Sequence, residues 1–117
     1  MSKLTTHILD TYHGTPAAGV SIELWRLDSD EDTLILETTT NSDGRTDAPL
    51  LAEGVFEAGK YELLFHIGPY FEAKGVACDD IRFLDTIPIR FGIQDPSAHY
   101  HVPLLASPWS YSTYRGS

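Results

Sequence analysis

Two stretches of this chain alternate apolar and polar residues, and that period of two most limits what the chain can fold into. In VSIEL, residues 20–24, every second residue is apolar. In YELLFHI, residues 61–67, a tyrosine, a leucine, a phenylalanine and an isoleucine occupy the alternate positions. Successive side chains of a β-strand point to opposite faces, so each stretch predicts a strand with one buried face.

Clusters of turn-forming residues separate these stretches from further strand-like runs. The turns are HGTP at 13–16, NSDG at 41–44 and DPS at 95–97, and the runs cover residues 34–40, 86–93, 99–105 and 109–115. Pro88 lacks a backbone N–H, so its strand is expected at the edge of a sheet or at a strand start. Residues 70–74 can form a single helical turn closed by Gly75. Seven or eight short strands and almost no helix predict an all-β fold, an antiparallel β-sandwich.

Length and charge limit the class of protein. A chain of 117 residues and 13.0 kDa fits one domain, and no repeat or linker divides it, so we expect a single domain over residues 1–117. The formal net charge is −9, from 8 basic and 17 acidic residues. This charge argues against non-specific binding to nucleic acid or to an anionic membrane surface, both of which need basic patches.

Cysteine usage and hydropathy bear on the compartment. Cys78 is the single cysteine, which excludes an intrachain disulfide and a metal site of the Cys-x-x-Cys type. We expect its thiol to be buried and inert. The sequence contains no apolar run of signal-peptide or membrane-spanning length, so a cytoplasmic location is the expectation.

Three histidines are candidates for chemistry. His99 and His101 are two residues apart in a strand-like run and therefore share one face, and His7 lies in an N-terminal run beside two threonines. Imidazoles grouped in this way suit general acid–base catalysis or a zinc ion. Exposed or hydrogen-bonded histidines of purely structural use fit the same spacing, so the residues alone leave these alternatives open.

Arg45 follows the Asp43-Gly44 turn, and its side chain offers two parallel donors to a planar anion or imide. A surface salt bridge is the alternative use of an arginine in that position. The chain contains no Gly-x-Ser-x-Gly elbow and no glycine-rich phosphate loop.

Four sequence blocks resemble one family. The chain ends in Tyr-Arg-Gly-Ser, residues 114–117, which resembles the C-terminal signature of the transthyretin-related 5-hydroxyisourate hydrolases. LTTHILD at 4–10, GRTDAPLL at 44–51 and HYHVPLL at 99–105 are similar to the family's other blocks, in the same order. The resemblance runs from Leu4 to Ser117.

The resemblance implies a fold, an assembly and a set of site residues. The implied fold is transthyretin-like, with two four-stranded sheets packed face to face and one short helix. The implied assembly is a homotetramer, a dimer of dimers, with the sites in the channel between the dimers. The catalytic residues of the family match His7, Arg45 and His101. Its substrate-binding positions match His7, Arg45, Tyr114, Arg115, Gly116 and Ser117.

The implied reaction is hydrolysis of the ring amide of 5-hydroxyisourate in urate degradation, with no metal and no cofactor. Other interpretations remain. A transthyretin-like carrier would bind a small aromatic ligand without chemistry, and a purely structural sandwich would show the same turns. A zinc hydrolase would use His7, His99 and His101.

Overall fold

The alternating runs form strands whose buried faces meet in one core. The structure is a computed structural model that describes residues 2–116. In chain order the elements are β1 (Lys3–Asp10), β2 (Thr15–Pro16), β3 (Ser21–Leu27), β4 (Asp32–Thr39), β5 (Gly59–His66), α1 (Ile67–Ala73), β6 (Thr86–Ile93), β7 (His99–Ala106) and β8 (Tyr111–Ser112).

The strands form two four-stranded sheets with the orders β2-β1-β7-β8 and β4-β3-β5-β6. Ile22 and Leu24 of β3 are buried between exposed or half-buried neighbours, and from Tyr61 onward β5 alternates between buried and half-buried side chains, which confirms the predicted period of two. Fully buried side chains from both sheets form the core: Leu4, Ile8, Ile22, Leu24, Tyr61, Leu63, Phe65, Ile87 and Leu104. The predicted sandwich of two four-stranded sheets with one short helix is therefore confirmed.

One strand pair departs from the antiparallel expectation. β1 runs parallel to β7 over eight residue pairs, from Lys3 beside His99 to Asp10 beside Ala106. Nearly a hundred residues separate these partners in sequence, so no local turn signal specifies their direction. The other strand pairs of both sheets are antiparallel.

The helix begins earlier than its sequence suggests. It starts at Ile67, where the alternation predicts one more strand residue, and the carbonyl of Asp85 accepts the free backbone N–H groups of Ile67 and Gly68. Its C-terminal end matches the prediction. Gly75 has φ +76° and donates to the carbonyl of Glu72, while Val76 donates to that of Phe71, which is the Schellman arrangement.

Other expectations are confirmed or corrected at the sheet edges and loops. β6, which contains Pro88, is an edge strand, as its missing N–H requires. The last predicted strand is reduced to Tyr111–Ser112, and Trp109 and Tyr111 are about half exposed and not in the core. Cys78 is exposed, which corrects the expectation of a buried thiol. Within the described chain, no helix is long and apolar enough to cross a membrane.

A buried carboxylate fixes the end of β1. Asp10 is completely buried and accepts hydrogen bonds from the backbone N–H of His13 (2.9 Å) and from the hydroxyl of Tyr70 (2.8 Å), and the His13 ring lies 2.6 Å away. Burial acts to raise the pKa of Asp10, but these bonds outweigh it and hold the pKa below its usual value. The carboxylate thus connects β1 to α1 through Tyr70.

Gly44 is the turn residue that brings the chain to the edge of β1 opposite β7. Its φ is +75°, and an added Cβ would lie 2.5 Å from the carbonyl oxygen of Ile8. Gly14 has a similar φ of +73°, but open space surrounds its Cβ position. An alanine at Gly14 would therefore be strained only by its positive φ, whereas an alanine at Gly44 would also clash with the carbonyl of Ile8.

We expect Gly14→Ala to lower the free energy of unfolding by about 1 kcal/mol, the cost of a left-handed alanine. Gly44→Ala should lower it by roughly 3 kcal/mol, because overpacking adds to the same dihedral cost. Urea denaturation of both variants measures the difference. Equal losses would show that β1 and the turn adjust freely at Gly44.

Candidate active site

The parallel register of β1 and β7 places histidines and threonine side by side on the outward face of the first sheet. Thr5 lies beside His101, and Lys3 lies beside His99. Lys3, Thr5 and His7 occupy the half-buried positions of β1, as His99 and His101 do in β7. The shared face that the spacing predicts for His99 and His101 is therefore present.

Arg45 reaches this face on a segment that runs along the other edge of β1. The backbone N–H of Ile8 donates to the carbonyl of Gly44 (2.8 Å), and His7 and Arg45 form an antiparallel bridge. The turn before it is held by the Asn41 side chain, whose Oδ1 accepts the backbone N–H of Arg45 at 3.2 Å. Arg45 is thereby fixed beside His7, with an exposed side chain.

A cavity of about 470 Å³ opens on this face of the sheet. Its wall includes Lys3, Thr5, Arg45, Asp47, His99 and His101. His7 does not line the cavity but adjoins it through the bridge to Arg45. A second cavity of about 470 Å³ lies on the other sheet, where Glu23, Glu37 and His66 contribute its charged groups. Of these two cavities, the first combines imidazoles with a guanidinium, which can supply a proton acceptor and an oxyanion partner for hydrolysis of an amide.

The surroundings of His101 disfavour its charged form. Its partial burial lowers the pKa of the imidazole below 6.5, and the nearby Arg45, His7 and His99 lower it further because a second positive charge is unfavourable there. A neutral imidazole at neutral pH can accept a proton.

The C-terminal segment packs directly against His101. The backbone N–H of Gly116 donates to the carbonyl of His101 at 2.8 Å. An added Cβ on Gly116 would lie 2.8 Å from Cδ2 of the His101 ring, so only glycine allows this approach. Ser117, which the sequence also assigned to the site, lies outside the described residues.

Tyr114 and Arg115 do not line this cavity in the single chain. They line a separate cavity of about 210 Å³ beside β6. The Arg115 guanidinium stacks over the ring of Tyr100, 4.1 Å from its centroid, and Tyr114 is 61% exposed. The contact of these two residues with substrate stays a prediction, and it requires a neighbouring subunit or a movement of the tail.

Sequence reasoning missed Thr5. Its hydroxyl lies 2.8 Å from Nδ1 of His101 and 3.1 Å from Nε2 of His99. The alternation of β1 could have placed Thr5 on the same face as His7, but its partners belong to a strand more than ninety residues away. Over residues 2–116, no three His, Cys, Asp or Glu side chains are grouped so as to hold a metal ion.

Comparison with known proteins finds relatives that match nearly the whole chain. The chain is 56% identical over 115 residues to 5-hydroxyisourate hydrolase 2 of Rhizobium meliloti, covering 98% of this chain and 96% of the relative. It is 56% identical over 114 residues to the 5-hydroxyisourate hydrolase of Deinococcus radiodurans, covering 97% and 95%.

Solved structures agree. The 5-hydroxyisourate hydrolase of Klebsiella pneumoniae matches with a TM-score of 0.82 and 36% identity, with both chains fully covered. Sea bream transthyretin in complex with thyroxine matches with a TM-score of 0.86 and 30% identity over 97% of this chain and 94% of that one. An (S)-allantoin synthase matches with a TM-score of 0.93 and 50% identity. There the match covers 99% of this chain but only 44% of the synthase chain.

The model of the HIUase/Transthyretin family matches residues 4–116. With a family model over nearly the whole length and relatives at 56% identity, the chain belongs to the HIUase/Transthyretin family.

Proposed function

We propose that this chain hydrolyses 5-hydroxyisourate to 2-oxo-4-hydroxy-4-carboxy-5-ureidoimidazoline, a step of urate degradation. The observation that carries the proposal is the position of Arg45 and His101 at one cavity, with His7 beside them through its bridge to Arg45, although the three come from separate segments. The relatives named above, of equal length and high identity, support the same substrate.

The reaction needs no covalent intermediate. A water molecule attacks a ring carbonyl carbon while one imidazole takes a proton from that water. The new C–O bond leaves negative charge on the carbonyl oxygen. Arg45 binds and polarises that oxygen with its two parallel N–H donors. The ring C–N bond then breaks, and the second imidazole protonates the leaving nitrogen. His7 and His101 share the roles of base and acid.

The electrostatics of the site suit this division. A neutral His101 beside the cationic Arg45 can accept a proton at neutral pH. Lys3 and Arg45 give the cavity wall a local positive charge in a chain whose net charge is −9, which favours a substrate of anionic character. No step involves a metal.

The assembly belongs to the same proposal. The cavity is open in the single chain, with Arg45 exposed, and an open cavity leaves the oxyanion contact in water, where it is weak. We place the site in the channel between two dimers of a homotetramer, in the cytoplasm. Trp109, Tyr111 and Tyr114, all largely exposed, are then available for contacts between subunits.

Arg45 and His101 should both be required for the proposed activity. 5-Hydroxyisourate generated from urate by a urate oxidase should decay faster when this protein is present, and chelator should not slow that decay. Arg45→Ala and His101→Ala should each lower kcat/KM by about 100-fold or more, the usual loss for an oxyanion partner or an acid–base group. Ultraviolet absorbance measures the decay.

The matched control is His66→Ala, which removes a half-buried histidine from the other sheet and should leave kcat/KM within about threefold of wild type. Decay at the spontaneous rate with wild-type protein would favour a carrier. Activity that chelator abolishes and zinc restores would favour the zinc hydrolase. Wild-type activity in both Arg45→Ala and His101→Ala would remove these residues from the mechanism.

The lowered pKa of His101 should be measurable in solution. The Cε1–H resonance of His101 should titrate with a midpoint below pH 6.5, because burial and neighbouring positive groups disfavour the imidazolium. Arg45→Gln should move that midpoint upward, since it removes one of those charges. An NMR titration of both proteins decides this, and an unchanged midpoint would show that Arg45 does not act on His101.

The protein should be a homotetramer in solution. Light scattering at micromolar concentration should give about four times the chain mass of 13.0 kDa. A monomer with full activity would show that one chain builds the whole site.

A further inference from the structure

The hydroxyl of Thr5 lies between two imidazoles that come from another strand. Its Oγ1 is 2.8 Å from Nδ1 of His101 and 3.1 Å from Nε2 of His99. Both distances are within hydrogen-bond range. The parallel register of β1 and β7 puts Thr5 directly beside His101, and the period of two puts His99 on the same face. All three side chains are half-buried.

The hydroxyl has one proton to give, and this couples the two rings. If Thr5 donates to Nδ1 of His101, then Nε2 of His99 must carry a hydrogen and donate to Thr5. If Thr5 donates to Nε2 of His99, then Nδ1 of His101 must carry the hydrogen. The hydrogen bonds formed among residues 2–116 give this hydroxyl no third partner. The tautomer of one histidine therefore sets the tautomer of the other.

The His101 ring is held on two sides. Thr5 occupies Nδ1, and Gly116 packs against the edge that carries Cδ2. Nε2 is the remaining polar atom of the ring, and no residue of the described range is hydrogen-bonded to it. The geometry leaves Nε2 as the atom that can exchange a proton with water or substrate.

We propose that Thr5 is a positioning residue that fixes both the orientation and the tautomer of His101, with His99 as the far end of the link. This rests on the proposed function, in which His101 exchanges a proton with water or substrate. It also gives His99 a role: when Nδ1 of His101 carries the hydrogen, so that Nε2 can accept a proton, Nε2 of His99 accepts the hydrogen bond from the Thr5 hydroxyl.

The charged groups around Thr5, His99 and His101 favour a neutral His101 ring. Only a neutral ring has two tautomers. The charged or titratable groups that face this ring or line the same cavity are Lys3, His7, Arg45, Asp47 and His99. Positive groups outnumber the single carboxylate, in line with the lowered pKa of His101. A neutral imidazole has one proton on two nitrogens, so a single fixed partner at Nδ1 decides which function Nε2 has.

The test replaces the hydroxyl and keeps the shape. Thr5→Val preserves a β-branched side chain suited to a strand but cannot form either hydrogen bond. We expect kcat to fall by about 10- to 100-fold with KM changed by less than about threefold, the scale for losing a group that orients a reacting one. Thr5→Ser restores the hydroxyl and should recover most of the kcat.

The matched control is Thr11→Val. Thr11 also donates a side-chain hydrogen bond, to the carbonyl of Ala106 at 3.1 Å, but it lies beyond the far end of β1 from the histidines. The same substitution there should leave kcat unchanged. A loss equal to that of Thr5→Val would mean that the threonine effect is one of general stability and would overturn the proposal.

The deciding measurement is the ¹⁵N shift of the His101 ring nitrogens in the free protein. Wild type should show one neutral tautomer, while Thr5→Val and His99→Phe should each show a mixture. A structural role alone would not change the tautomer. His99→Phe acts from β7, so it tests the link even if Thr5→Val folds poorly.

The outcomes separate the two proposals. If wild type does not accelerate decay of 5-hydroxyisourate, the proposed function fails, yet the ¹⁵N shifts still test whether Thr5 fixes the ring. If wild type is active but Thr5→Val retains its kcat and a single His101 tautomer, Thr5 is not a positioning residue.

Discussion

The parallel pairing of β1 with β7 is the interaction on which the candidate site depends. The pairing aligns eight residue pairs, and one of them is Thr5 with His101. It leaves the other edge of β1 available to further segments of the chain. The chain uses that edge three times, for β2, for the residues around Arg45, and for Leu50 and Leu51. A shift of one residue between β1 and β7 would turn the outward side chains of β1 into the core, so the buried partners Leu4 and Ile8 protect the geometry of the site.

The same arrangement explains how an acidic chain can hold a cationic site. The net charge of −9 is spread over the surface and is screened over about 8–10 Å at physiological salt. Lys3 and Arg45 share one cavity with two histidines and a single carboxylate, Asp47. The pKa of His101 is therefore lowered by partial burial and nearby positive groups, and the net charge of the whole chain has little effect on it.

Local rules predicted most of the fold and only part of the site. The alternation predicted β3 and β5, the turn clusters predicted most of the other strands, the missing N–H of Pro88 predicted an edge strand, and Gly75 predicted the helix end. The expectation of antiparallel pairing was wrong for β1 and β7, because their contacts join residues more than ninety positions apart. The family resemblance named His7, Arg45 and His101, whereas Thr5 became visible only when the register placed it between His99 and His101.

Fold likeness does not separate a hydrolase from a thyroxine-bound transthyretin. Sea bream transthyretin, whose solved structure holds thyroxine, matches the backbone with a TM-score of 0.86, slightly above the 0.82 of the Klebsiella hydrolase. The distinction must lie in side chains that the shared backbone only positions. In the site proposed for this chain, those side chains are His7 and His101 on the outward face of β1 and β7, and Arg45 beside β1, all outside the buried core. A chain with this core could therefore change its chemistry through a few outward positions while its sandwich stays the same.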